Sequence, residues 1–153
     1  MQKLNIGDKF PDLLGIDTDG RETRLSDFPG KKFIIYFYPK DNTPGCTAES
    51  CSLRDSNQTF IEKGYMVIGV SKDNMASHRR FIDKHGLPFL LIADTDHYLC
   101  EQTGVWSPKK VADRTYMGIA RTTFVLDETG TVTHIITKVN TKNASAQLLD
   151  IIG

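Results

Sequence analysis

Cysteine is scarce in this chain, three residues in 153, and the number is odd. That count excludes a disulfide-stapled scaffold and fits a reducing, cytoplasmic setting, where a cysteine is catalytic, metal-binding or part of the core. Net charge is lacking too, since 19 basic residues balance 19 acidic ones. This argues against a nucleic-acid binder that works by bulk electrostatics. The short basic pairs Lys31-Lys32, Arg79-Arg80 and Lys109-Lys110 read as solvated faces. No segment approaches the roughly 18 apolar residues of a membrane span. The opening MQKLNIGDKFPDLLG carries Asp8 and Pro11 where a signal peptide would be apolar, which predicts no secretion. Repeats, low-complexity tracts and Ser/Gly-rich linkers are also missing. The remaining composition is ordinary for a soluble globular protein, 39% hydrophobic and 25% charged, in a length that suits one domain over residues 1–153.

Apolar runs alternate with helical patterns along the chain. Lys32–Tyr38 reads as a buried central strand closed by Pro39. Thr43 as an N-cap and Pro44 at the first helical position predict a helix from 44 to about 63, stopped by Gly64. A second buried strand is expected at 65–71. A helix over 75–85, capped by Asp73 or Asn74, follows, then a strand over 89–92 and a short helix over 98–103. Two strands, 121–126 and 131–138, flank the turn Asp127–Gly130 as a hairpin. A helix over 144–152 closes the chain. This order predicts an α/β sandwich with parallel crossovers first and an antiparallel pair last, a pattern compatible with a thioredoxin-like fold among other small α/β layouts.

The stretch YPKDNTPGCTAESC, residues 38–51, places Cys46 and Cys51 five residues apart. If the helix starts at Pro44, Cys46 lies in its first turn, where unpaired backbone N–H groups and the positive dipole end favour a thiolate. The Thr43 hydroxyl can donate toward the same pocket, and Pro39 and Pro44 stiffen the loop. On an ideal helix Cys46 and Cys51 are separated by a rise of ~7.5 Å and a rotation of roughly 140°. Their Cα atoms then stand about 8–9 Å apart, beyond the ~7 Å reach of a disulfide. The pair can bond only if the first turns unwind. Two plain core cysteines are the alternative. A zinc site is disfavoured because His78, His85, His97 and His134 are scattered, and His97 with Cys100 supplies two ligands only. The spacing also departs from the Cys-x-x-Cys of a disulfide exchanger.

These residues resemble a peroxiredoxin. Pro39, Thr43 and Cys46 match the family's Pro-x-x-x-Thr/Ser-x-x-Cys loop, and the longer string is similar to the bacterioferritin comigratory protein branch, also called PrxQ. Further landmarks are Gly69-Val-Ser71 with Asp73, Leu87-Pro-Phe89, Ala93-Asp94, Gly104-Val-Trp106 and Gly118–Phe124. The resemblance implies a thioredoxin-like three-layer α/β sandwich with a mixed central sheet, and a thiol peroxidase that uses neither cofactor nor metal. Cys46 would attack the peroxide and become a sulfenic acid. Cys51 would resolve it as an intramolecular disulfide, and a thioredoxin-like dithiol would restore both thiols. Arg121 matches the active-site arginine, whose permanent charge favours a thiolate. Glu49 matches an acidic position of the branch and would orient Arg121 or favour the helix dipole. Trp106 is expected to pack near the pocket, and Cys100 to be a buried bystander. Asn143 and Ala112-Asp113-Arg114 depart from the branch pattern. An internal disulfide removes the need for a partner subunit, so a monomer or weak dimer is expected. The rival reading is a redox-sensing or chaperone-like switch built on the same cysteine pair.

Overall fold

The computed structural model describes residues 3–153. Nine strands form in chain order. They are β1 (Leu13–Ile16), β2 (Glu22–Arg24), β3 (Lys32–Phe37), β4 (Tyr65–Ser71), β5 (Leu90–Ala93), β6 (Trp106–Val111), β7 (Arg114–Ile119), β8 (Thr122–Leu126) and β9 (Val132–Ile136). Seven of them build one sheet in the order β2-β1-β5-β4-β3-β8-β9. β3, β4 and β5 are parallel, while β8, β9, β1 and β2 join antiparallel. The mixed α/β sheet expected from the sequence is therefore present, with β3 and β4 at its centre.

The pleat of β3 divides the interior into two cores, because successive side chains of a strand point to opposite faces. Phe33, Ile35 and Phe37 meet Leu99 and Cys100 on one face. Ile34, Tyr36 and Tyr38 meet Cys46, Leu53, Phe60, Phe81 and Leu148 on the other. The second group belongs to α1 (Pro44–Asp55), α2 (Asn57–Glu62), α3 (Met75–His85) and α5 (Ala144–Ile152), and the first to α4 (Tyr98–Thr103). The loop after β3 thus leaves the C-terminal end of the central strand and turns directly into a helix seated on the sheet.

Several expectations are corrected. The single helix expected over 44–63 is two helices broken at Ser56 (φ −107°, ψ 9°), whose amide turns back to Leu53 O. Asp55, Ser56 and Asn57 all have side chains that compete for backbone hydrogen bonds, so the ladder is weakest there. Of the two caps that the sequence offers for α3, Asn74 is the one used, accepting from the Ser77 amide. Two hairpins escaped the sequence pattern. β1 and β2 are short and joined by a turn in which Asp17 Oδ1 accepts from the amides of Asp19 and Arg21. β6 and β7 pair from Trp106↔Ile119 to Val111↔Arg114 and are largely exposed, so no apolar alternation marks them. The departure at 112–114 is this hairpin's turn, where Ala112 takes φ 55°.

Candidate active site

Pro44 at the first helical position lets α1 start without a wasted donor. Two residues later Cys46 is fully buried, 1% exposed, against the sheet. Arg121 precedes β8, the strand beside β3, and its guanidinium spans two partners on α1. Nη2 donates to Cys46 Sγ at 3.2 Å and Nη1 to Glu49 Oε1 at 2.6 Å. A planar fork suits this pair because Cys46 and Glu49 are three residues apart and so share one helix face. Gly45 lies against the fork, where a Cβ would stand in contact with Arg121 Nη2 at 3.4 Å. Sequence reading singled out neither Gly45 nor the pair behind it, Tyr36 Oη and Ser50 Oγ at 2.9 Å, which pins the same helix to β3.

The electrostatics follow from this geometry. Burial pushes Glu49 up and the Arg121 charge and hydrogen bond pull it back, leaving it at about 7. Among the described residues, Glu49 Oε2 is the one buried side-chain polar atom without a hydrogen-bond partner. Burial works against the Arg121 cation, yet Cys46 and Glu49 outweigh it and hold it above its ordinary value. Lys109 of β6 lies in the same field. Burial and the Arg121 charge lower it, with Cys46 acting in the opposite sense.

Thr43 occupies the N-cap, and its carbonyl accepts from Thr47 at 2.8 Å. Its hydroxyl neither caps the helix nor donates toward Cys46. It donates to Lys40 O at 2.8 Å. A threonine Oγ has one proton and two lone pairs, so in this arrangement it offers the pocket an acceptor, not the expected donor. Pro39 is half-buried where the loop leaves β3. Cys51 is half-exposed on α1, and all three cysteines are free thiols. Beyond Cys51 the helix is tied down. Ser145 donates through both its amide and its hydroxyl to Ser52, and Arg54 Nη1 donates to His85 O at 2.7 Å. Cys100 stands apart in the other core, fully buried, with burial and Asp94 raising its thiol far above the ordinary value. Trp106 stacks on His97 with ring centroids 3.8 Å apart. Its packing role is clear, and Asn143 lies at the start of α5.

A helix-start cysteine held by an arginine fork on a thioredoxin-like sheet defines a thiol-based redox centre. Residues 6–135 match the AhpC/TSA family. The chain is 45% identical to the peroxiredoxin Bcp of Bacillus subtilis, covering 95% of this chain and 93% of that one. It is 41% identical to the peroxiredoxin Bcp of Escherichia coli, covering 94% and 92%. Among solved structures, a mutant PrxQ of Xylella fastidiosa superposes with a TM-score of 0.90 at 29% identity, covering 99% and 97%. Peroxiredoxin Q of Xanthomonas campestris gives 0.83 at 35%, covering 88% and 85%. The chain belongs to the AhpC/TSA family and, within it, to the Bcp or PrxQ peroxiredoxins, which are thiol-dependent peroxidases. The sensor or chaperone reading is not favoured. No helix among the described residues is long and apolar enough to cross a membrane.

Proposed function

We propose that Cys46 is the peroxidatic cysteine and Cys51 the resolving cysteine of a single-domain, thioredoxin-dependent peroxidase. The observation that carries this reading is the bond from Arg121 Nη2 to the buried Cys46 Sγ. The Cys46 thiolate attacks one oxygen of a hydroperoxide. The S–O bond forms, the O–O bond breaks, and the leaving oxygen takes a proton to become water or an alcohol. Arg121 stabilises charge as it develops on the departing oxygen. Thr43 Oγ1 accepts the hydrogen bond of the incoming O–H, and Pro39 keeps the loop stiff around it. Cys51 then condenses with the Cys46 sulfenic acid, releasing water and forming an intramolecular disulfide. A thioredoxin-like dithiol reduces that disulfide by exchange and is itself oxidised.

The step to the disulfide requires α1 to unwind near its start. Oxidation supports this, because a neutral sulfenic acid loses the ion-pair attraction that a thiolate has to Arg121. Sparse free cysteines suit a cytoplasmic enzyme, and both reacting sulfurs on one chain suit a monomer. Hydrogen peroxide and small organic hydroperoxides are the substrates. The bacterioferritin comigratory protein of Xanthomonas campestris, a relative, is described as having alkyl peroxide reduction activity.

The test is steady-state peroxide consumption with thioredoxin, thioredoxin reductase and NADPH. Cys46→Ser should be inactive. Cys51→Ser should reduce one equivalent of peroxide and then stop turning over. Full activity in Cys46→Ser would overturn the assignment.

A further inference from the structure

A second polar cluster lies beneath the loop that carries the reacting cysteine. Tyr38 Oη donates to Asp41 Oδ1 at 2.6 Å, and Ser77 Oγ donates to Asp41 Oδ2 at 2.8 Å. His78 Nδ1 stands 2.8 Å from the same Oδ2, and Nε2 stands 2.9 Å from Ile92 O. The Asp41 amide donates to Asp73 Oδ2 at 2.8 Å, which also accepts from Ser71 Oγ at 2.6 Å. Asp41 is 5% exposed and His78 0%.

Asp41, Asp73 and His78 group their donor atoms closely enough to suggest a metal site. The hydrogen bonds assign them differently. A carbonyl oxygen only accepts, so Nε2 carries a proton. Each Asp41 oxygen accepts from a hydroxyl, Oδ1 from Tyr38 and Oδ2 from Ser77, and these donors with His78 outweigh burial and hold the carboxyl below its ordinary value, so it too is an acceptor. Nδ1 therefore donates as well, and no lone pair of the ring is free for a cation.

We infer that the doubly donating His78 and the carboxylate of Asp41 form a latch that positions the Cys46 loop, making both of them positioning residues for the peroxidatic thiolate. A buried ion pair adds little net stability over apolar packing of the same volume, but it fixes geometry. Here it joins four elements. Tyr38 directly follows the central strand β3, Asp41 lies in the loop, Ser77 and His78 sit in the first turn of α3, and Ile92 is in β5. The next residue, Asn42, takes φ 62°, in the left-handed region that asparagine enters more readily than most non-glycine residues, so the loop turns sharply just after Asp41. The loop so fixed sets where Pro44 starts α1, and hence which backbone N–H groups face Cys46. This inference rests on Cys46 being the nucleophile.

Nitrogen-15 NMR of the ring nitrogens, together with the pH profile of Cys46 alkylation in a Cys51→Ser background, tests it without any peroxide turnover. In the reduced native protein at neutral pH both His78 ring nitrogens should carry protons. Asp41→Asn should remove one of them, move the alkylation profile to higher pH and slow alkylation at neutral pH by about tenfold. Ser77→Ala, a milder change, should shift the profile the same way by less, and it serves if Asp41→Asn does not fold. A singly protonated His78 in the native protein overturns the latch. An alkylation profile unmoved in the folded variants overturns the positioning role. Failure of the peroxidase reading would appear separately, as an active Cys46→Ser enzyme.

Discussion

Two buried carboxylates stand on either side of Cys46 in the chain, and they are held in opposite ways. Asp41 lies in the loop before it and is 5% exposed, while Glu49 lies one helical turn after it and is 0% exposed. Asp41 receives hydrogen bonds from Tyr38, Ser77 and His78 and is kept below its ordinary value. Glu49 receives one, from Arg121, leaves Oε2 without a partner and rises to about 7. Burial raises both carboxyls, and the donors offset it at Asp41 but not at Glu49. The satisfied carboxylate anchors the loop. The under-satisfied one stands beside the Cys46 sulfur, where it shares a single arginine with it.

The largest effect expected from breaking this arrangement is at that arginine. Arg121→Lys keeps the charge but loses the fork that reaches Cys46 and Glu49 together. Peroxidase kcat/KM should fall by about 10²–10³, the scale of losing a preorganised charge donor, and stopped-flow peroxide kinetics would measure it.

Glu49→Gln should act on both activity and stability. Without the anionic partner of Arg121, kcat/KM should fall about tenfold. The native group binds its proton more tightly when folded, at about 7, than its ordinary 4.5. Its stabilising contribution is thus present below about 4.5 and is lost as pH rises through about 7. Urea unfolding should find the variant gaining on the native protein between these two values, by about 3 kcal/mol at pH ~8. A gap that does not change with pH would mean that Glu49 does not titrate there.

Tyr38→Phe should sharpen the comparison from the other side. It takes a donor from Asp41 and leaves Oδ1 buried and unpaired, making Asp41 more like Glu49. A loss of about 1–3 kcal/mol in chemical denaturation is expected. The smallest effect belongs to Ser50→Ala, which strips Tyr36 Oη of its partner behind α1. It should cost about 1 kcal/mol and leave the peroxide rate nearly unchanged.

How much of this was legible beforehand follows from the kind of signal each part leaves. The central strands and α3 stood out because continuous β-rich runs and a capped, glycine-terminated helix are local patterns. Cys46, Thr43, Pro39 and Arg121 were found by motif, and the structure places Arg121 on Cys46 and Thr43 at the cap. The direction of the Thr43 hydroxyl was not legible, because Lys40 O competes for its proton only once the loop has folded. The β6–β7 hairpin was missed because an exposed pair carries no hydrophobic period. Asp41 and His78 were passed over because they are 37 residues apart in sequence and meet only through the parallel crossover. His78 was counted only among the scattered histidines, a reading silent about hydrogen bonding.

The most direct measurement of the central claim is peptide mass spectrometry of the reduced protein after one equivalent of hydrogen peroxide. The account predicts loss of two hydrogens, a single Cys46–Cys51 linkage within one chain, and Cys100 recovered as a free thiol. A linkage through Cys100, or one between two chains, would contradict it.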